Sequence, residues 1–341
     1  MSGSGISQSR VRLTPTQTFP RTLLSTVRDM QARDPRLVTM AVTDTTELSL
    51  PGVLNGLAPD IAATTPALPV AVGMALAGRR PLVDATSVPM SSLLVDLETI
   101  ASLRYRTGGM ATIPMVILVR IGGRTTSHYE RCQWGALCRI PGLKVALPVT
   151  TQDLEEMLRS SLRERGPVVL LLDADLLGPP WGEGSEPQAA SRESVAPSPL
   201  ARARVVMAGD EVTLVTLGAG VAVARQAIRR MRARAGVELI DLRVLAPWDR
   251  DAVLTSVEKT GRLVVVDEDG HGFGLAAEIM ASVTEVYPPI LQAPPQRVTR
   301  ADVPTAPCAH LITPTLPMAK AISAAISRVM SIAPRVTADT A

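Results

Sequence analysis

Between Val237 and Gly274 the chain sets two short apolar runs around one helix, an order that leaves few folds open. Val237, Leu239 and Ile240 mark the first strand, closed by a sharp Asp241-Leu242-Arg243 exit, and Pro247-Trp248-Asp249 opens a helix. Leu263 to Val266 forms a second buried strand, ending in Asp267, Glu268 and Asp269 and a Gly-rich turn before a helix from Leu275 to Val283. The same grammar runs upstream. Strands are expected at Leu37 to Val42, Leu82 to Ala85, Met115 to Val119, Leu143 to Leu147, Val168 to Leu172 and Val212 to Leu217. Helices are expected at Phe19 to Ala32, Pro69 to Gly78, Ser91 to Tyr105, Thr151 to Arg163 and Val221 to Ala233. Strands alternating with helices at this spacing require a mostly parallel sheet covered on both faces.

The fold class is therefore α/β, with two parallel-sheet, three-layer domains, and 341 residues are enough for two ordinary cores. From Gly178 to Pro199 the composition turns to Pro, Gly, Ser and Glu, the mark of a linker or surface excursion. The expected organisation is a tail over 1–12, a first domain over 13–178, a linker over 179–202, a second domain over 203–332 and a tail over 333–341. Aromatic residues are only 2% of the chain, so its cores must be built from Val, Leu, Ile, Ala and Met. A net charge of +3 spread without a Lys/Arg run argues against nucleic acid as a partner. No run of 18 apolar residues exists, which argues against a membrane span, and the N-terminus lacks the apolar centre of a signal peptide. Three cysteines without CxxC spacing, Cys132, Cys138 and Cys308, read as reduced thiols in a cytoplasmic setting.

Several phrases appear in a telling order: RYRTGG from Arg104, IPMVILVRIGG, then IPGLKVALPVTTQDLEEMLRSSLRERGPVVLLLD, then GDEVTLVTLGAG, then the segment from Val237 to Gly274. As an ordered set they resemble the beta subunit of the thiamine-diphosphate-dependent 2-oxo acid dehydrogenase decarboxylating component, pyruvate or branched-chain type, in the transketolase-like superfamily. The resemblance spans the chain between its tails. It implies a transketolase pyrimidine-binding domain followed by a transketolase C-terminal domain. It also implies an alpha-type partner in an α2β2 assembly, with a lipoyl acyltransferase core as a further partner. That family's alpha chain holds the cofactor diphosphate and Mg²⁺ through a Gly-Asp-Gly motif. The present chain has none, since Gly209-Asp210-Glu211 lacks the second glycine. Gly218-Ala219-Gly220 alone suggests a dinucleotide turn, but the third glycine of that fingerprint is absent.

The beta-type chain of the family supplies the pocket for the aminopyrimidine ring, where a glutamate shares a proton with a ring nitrogen. Counting back along the helix from Gly73 puts that glutamate at Thr64, and no neighbour restores an acid except Asp60. Losing a positioned acid–base group typically costs about 10²–10⁴-fold in rate. The family's aromatic wall maps around Thr86 to Val88, so Val88 takes that cofactor-binding place without an aromatic ring. The substrate-side histidine maps to Tyr129, with His128 one residue early, and a further family histidine becomes Arg139. His128 reads as an active-site acid–base group or as a solvent-exposed loop histidine. Tyr129 reads as a pocket residue or a loop anchor, and Arg139 as an anion-binding group for substrate or as a surface or interface arginine. Asp267, Glu268 and Asp269 read as structural or partner-facing, because consecutive side chains on a strand end alternate and cannot converge on a metal. Three functions fit this set. One is a working 2-oxo acid dehydrogenase beta subunit with an altered pocket, passing an acyl group to a lipoyl carrier. The others are a silent scaffold or regulatory paralogue, and a split-transketolase or carboligase half.

Overall fold

The computed structural model describes residues 19–43, 61–64, 67–122, 134–174, 200, 202–231, 236–286, 290–304 and 309–332. The expected tails and nearly all of the linker lie outside these residues. The first half contributes α1 (Phe19–Arg33), β1 (Leu37–Thr43), β2 (Ile61–Thr64), α2 (Ala67–Leu76), β3 (Arg80–Asp84) and α3 (Met90–Arg106). It continues through β4 (Val116–Ile121), α4 (Trp134–Cys138), β5 (Lys144–Ala146), α5 (Thr151–Ser161) and β6 (Val168–Asp173). The second half adds β7 (Arg204–Met207), β8 (Val212–Thr216), α6 (Gly220–Arg230), β9 (Val237–Asp241), β10 (Val244–Ala246), α7 (Arg250–Thr260) and β11 (Leu263–Asp267). It closes with α8 (Leu275–Val286), β12 (Gln296–Thr299), α9 (Ala309–Ile312) and α10 (Ala319–Ser331).

Two sheets result, one of seven strands in the order β10-β5-β6-β4-β3-β1-β2 and one of five in the order β12-β11-β8-β9-β7. Pairing is parallel except where β10 meets β5 and β7 meets β9. Alternation sorts each central strand onto two faces. Val116 and Leu118 of β4 pack with Phe19, Leu23 and Leu154 of α1 and α5, whereas Ile117 and Val119 face the opposite core with Leu97 of α3. In β11, Val264 and Val266 pack with Ile322 and Ile326 of α10, while Leu263 and Val265 face that same central core. The inner faces of the two sheets thus share one continuous apolar cluster, joined through Trp134, Leu217, Leu242 and Leu245.

The join between the halves is a strand. Val244 pairs with Ala146 and Ala246 with Val145, so β10 leaves the second half and completes the first sheet. A buried ion network lies beneath it. Asp153 forms a capping box with Thr150 at the start of α5 and accepts from both Arg204 Nη atoms, at 2.9 and 3.0 Å. Arg243, nearly buried and at a φ of 59°, reaches Asp153 at 3.1 Å and Glu156 at 2.6 Å. Asp241 accepts from Arg204 at 3.2 Å and from the Arg243 backbone at 3.2 Å. Asp241 and Arg243 therefore fix the exit of β9.

The structure departs from the sequence reading in short or edge elements. Strands β2, β7, β10 and β12 and helices α4, α9 and α10 go beyond the predicted set. Thr64 ends a strand, paired with Thr43, and the helix carrying Gly73 begins only at Ala67. The Gly218 turn is not open to a dinucleotide: a Cβ there would sit 2.9 Å from Leu147 Cδ2 of the first half. Replacing Asp153 with Ala removes the α5 cap and leaves Arg204 and Arg243 without their shared acceptor. The variant should lose about 3–5 kcal/mol of stability, read as a lower urea midpoint. A loss below about 1 kcal/mol would show that the network is not needed to hold the halves together.

Candidate active site

Open parallel sheets place their ligand sites at the carboxyl ends of the strands. Here that edge is formed by Thr43 of β1, Thr64 of β2, the exit of β3, and the ends of β4 and β6. Asp84 ends β3 fully buried, and its Oδ1 accepts from the Thr86 backbone N–H at 3.1 Å and from the Thr86 hydroxyl at 2.6 Å. The Ser87 hydroxyl donates to the Val42 carbonyl at 2.7 Å, tying this exit to β1. A turn closes through Val88 N–H to the Ala85 carbonyl at 3.0 Å and leaves Val88 buried ahead of α3. Next along the edge stands Arg120 of β4. Burial pushes its guanidinium down to about 10 against the opposing pull of Asp84. Asp173 ends β6, paired in register with Ile121. The sequence reading passes over this polar array, although each member is a charge ending an apolar run: LVD, ILVR and LLLD.

The predicted site residues scatter in their status. Thr64 is the last residue of β2, on an edge strand, and brings no ionisable group to the sheet edge. Val88 is an aliphatic, buried residue. Arg139 is exposed in the turn after α4 and makes no hydrogen bond or ion pair to a described residue. His128, Tyr129 and Asp60 lie outside the described residues, so only Thr64, through its backbone, and Val88 are brought to one edge.

The segment after His128 is anchored where the sequence predicts a structural acid-rich loop. Trp134 Nε1 donates to Asp267 Oδ1 at 3.0 Å, and the Gly135 N–H to Asp269 Oδ2 at 2.9 Å. A Cβ at Gly135 would lie 2.8 Å from that carboxylate oxygen and would require the Asp269 side chain to shift. Asp267 also accepts from the Asp269 and Ala276 backbone N–H groups, each at 3.0 Å. Burial still raises its carboxyl to about 6, and burial raises Asp269 as well. Burial, then Asp267 and Asp269, push the Cys138 thiol up to about 12, so this free cysteine is a poor nucleophile. Among the described residues no group of His, Cys, Asp and Glu could hold a metal.

A thiamine pyrimidine ring needs an apolar wall and an acid against one ring nitrogen. The edge fits the first need through Val88. It does not fit the second, because Thr64 carries no acid and Asp84 is committed to Thr86.

Residues 66–179 match the family Transketolase, pyrimidine binding domain, and residues 201–322 match Transketolase, C-terminal domain. The chain is 32% identical over 268 residues to pyruvate dehydrogenase E1 component subunit beta of Rickettsia bellii, covering 77% of this chain and 80% of the relative. It is 33% identical over 266 residues to acetoin:2,6-dichlorophenolindophenol oxidoreductase subunit beta of Cupriavidus necator, covering 76% of each. A solved structure titled "Split gene transketolase, inactive beta4 tetramer" superposes with a TM-score of 0.71 at 18% identity, over 92% of this chain and 98% of that one. That likeness is one of fold.

The raised carboxyl of Asp267 sets a pH dependence. Its folded value of about 6 lies above the ordinary 3.8, so the native state holds a proton that the unfolded chain has released between those values. Stability from this group is therefore greatest at low pH and falls as pH rises from about 4 to about 6. The loss is about 3 kcal/mol at most, and Asp241, also raised to about 6, adds in the same direction. Asp34, lowered to about 2, acts oppositely but only below pH 3.8. Melting temperatures taken from pH 4 to 7 should show the decline, and Asp267→Asn should flatten it. An equally steep slope in that variant would assign the titration elsewhere.

Proposed function

The chain belongs to the transketolase-like family of 2-oxo acid dehydrogenase beta subunits, and on that premise we propose that it works as the beta-type subunit of a thiamine-diphosphate-dependent 2-oxo acid dehydrogenase with an altered pyrimidine pocket. In this reading it joins an alpha-type chain as α2β2. The assembly decarboxylates a 2-oxo acid oxidatively and passes the acyl group to a lipoyl carrier on an acyltransferase core. The alpha-type chain holds the cofactor diphosphate and its Mg²⁺, while Val88 and Thr64 of this chain border the ring without supplying its acid. His128 is the group proposed for acid–base work on the substrate, with Tyr129 beside it. Arg139, exposed and uncommitted, is proposed to hold the substrate carboxylate. A reducing compartment, the cytoplasm, suits the free thiol of Cys138. No described helix is long and apolar enough to cross a membrane.

One observation carries the need for a partner. Helix α2, ALPVAVGMAL, has no polar side chain on any face, yet Pro69, Val70, Gly73 and Leu76 are exposed along one stripe. A helix apolar all round belongs in an interior. Gly73 lies on that stripe, and a Cβ added there would meet nothing within 4 Å. Phe273, fully exposed at a φ of 58°, is a second uncovered apolar group. A partner surface covering α2 accounts for the stripe.

Two measurements test the reading. The first is calorimetry of thiamine diphosphate and Mg²⁺ with this chain co-expressed with its alpha-type chain. Saturable binding is expected, and Thr64→Glu should raise turnover by about 10²-fold or more by supplying the missing acid. A folded complex that takes up no cofactor would sink the enzyme reading. The second is Gly73→Leu, which should leave the isolated chain as stable as before or better by up to about 1 kcal/mol. It should abolish co-purification with the alpha-type chain; retained assembly would mean that α2 is not the contact.

A further inference from the structure

The five-stranded sheet ends on β12, and α10 crosses beside that edge. Between them lies an open groove with a volume of about 430 Å³. One wall is Arg297 and its neighbours on β12, and the other is the α10 face of Ala321, Ala324, Ala325 and Arg328. Three alanines in that wall leave the space unfilled. His271, from the loop after β11, stands at the groove as well.

Several arginines elsewhere in the chain are spent on carboxylates. Arg159, Arg204 and Arg243 each meet a carboxylate within 3.2 Å. By contrast, Arg297 and Arg328 have no ion pair to a described residue and are held by neutral acceptors. Arg297 Nη2 donates to His271 Nε2 at 2.9 Å, which places the ring proton on Nδ1, facing the Thr299 hydroxyl at 3.1 Å. That hydroxyl donates on to the Arg300 carbonyl at 3.2 Å. Arg328 Nη1 donates to Gln296 Oε1 at 3.2 Å. Both guanidinium groups are thus oriented before any ligand arrives, which lowers the ordering cost of binding. With Arg300 and Asp302 also in the lining, the formal charge is three arginines against one aspartate, a net +2 with His271 neutral.

We propose that this groove is a binding site for a small phosphate-bearing metabolite, with its phosphoryl oxygens taken by Arg297 and Arg328. The volume falls in the range of small-molecule sites, roughly 300–1,000 Å³. A phosphate monoester carries about −1.5 to −2 charge at neutral pH, which matches the lining. Guanidinium forks on two different walls suit a tetrahedral oxyanion better than a planar carboxylate, which one fork can satisfy alone. The proposal stands apart from the thiamine-dependent reading and would survive its failure.

The test uses the full chain, titrated with inorganic phosphate and with AMP at constant ionic strength, and follows the His271 ring resonances by NMR. Two other histidines give the internal control, and His271→Gln fixes the assignment. Saturable shifts at His271 are expected for both probes, with AMP binding at least as tightly as phosphate. Arg297→Gln and Arg328→Gln should each weaken binding tenfold or more. Arg328 lies exposed on α10, so its variant remains informative even if Arg297→Gln unfolds the strand edge. Shifts that persist unchanged in Arg328→Gln, or that track ionic strength alone, would overturn the proposal. So would AMP binding more weakly than phosphate, or a response to poly-glutamate without one to phosphate, which would mark a protein-docking surface.

Discussion

Everything in this molecule depends on β10 lying in the wrong half. A three-residue strand from the second half completes the first sheet, and its approach obliges Arg243 to adopt a left-handed backbone and bury its side chain. A buried guanidinium requires acceptors, and α5 presents two of them one turn apart, Asp153 and Glu156. Such pairs add little net stability once desolvation is counted, but they exclude other arrangements, because any slip leaves a buried charge unpaired. The network therefore acts chiefly on geometry, by fixing how the two sheets face each other. A second bracket, Asp267 to Trp134 and Asp269 to Gly135, also ties the first half to the second.

What was legible in the sequence follows from this construction. Central strands are buried on both faces and read as continuous Val/Ile/Leu runs, so β3 to β6, β8, β9 and β11 stand out within a residue or two. Strand β4 runs two residues past its predicted end because Arg120 looks like a terminator. In three dimensions its charge faces Asp84. Strand β10 has too few residues for any period, and its partner β5 lies about a hundred residues away in the chain. Strand β2, IAAT, has the small-residue composition of the helix that follows, and only pairing with β1 makes it a strand. Helix α10 is the one omission with a readable signal, since Ala319, Ile322, Ile326 and Val329 recur at helical spacing.

Sites were less legible than elements for a related reason. A linear reading finds the basic residues scattered, which argues against nucleic acid but says nothing of where the fold gathers them. The groove beside β12 gathers Arg297, Arg300 and Arg328 from one strand, its exit and a distant helix. Asp267, Glu268 and Asp269, consecutive in sequence, read as structural or partner-facing, and Asp267 and Asp269 are spent on backbone and indole donors.

The proposed pyrimidine pocket would need an acid, and the same constraints limit where one could come from. A carboxylate can serve a ring nitrogen only if its oxygens are free to share a proton in a poorly solvated place. Asp84 is fully buried, but one oxygen already accepts twice from Thr86, and turning it away would release the exit of β3 that carries Val88. Asp267 ends β11 in the other sheet, with both oxygens occupied. Neither can move to the end of β2 without undoing the element it closes, and Asp173, at the end of β6, stands four strand positions away from β2 in the sheet. An acid acting at that edge must therefore come from beyond these strand ends, from a loop or from a partner chain.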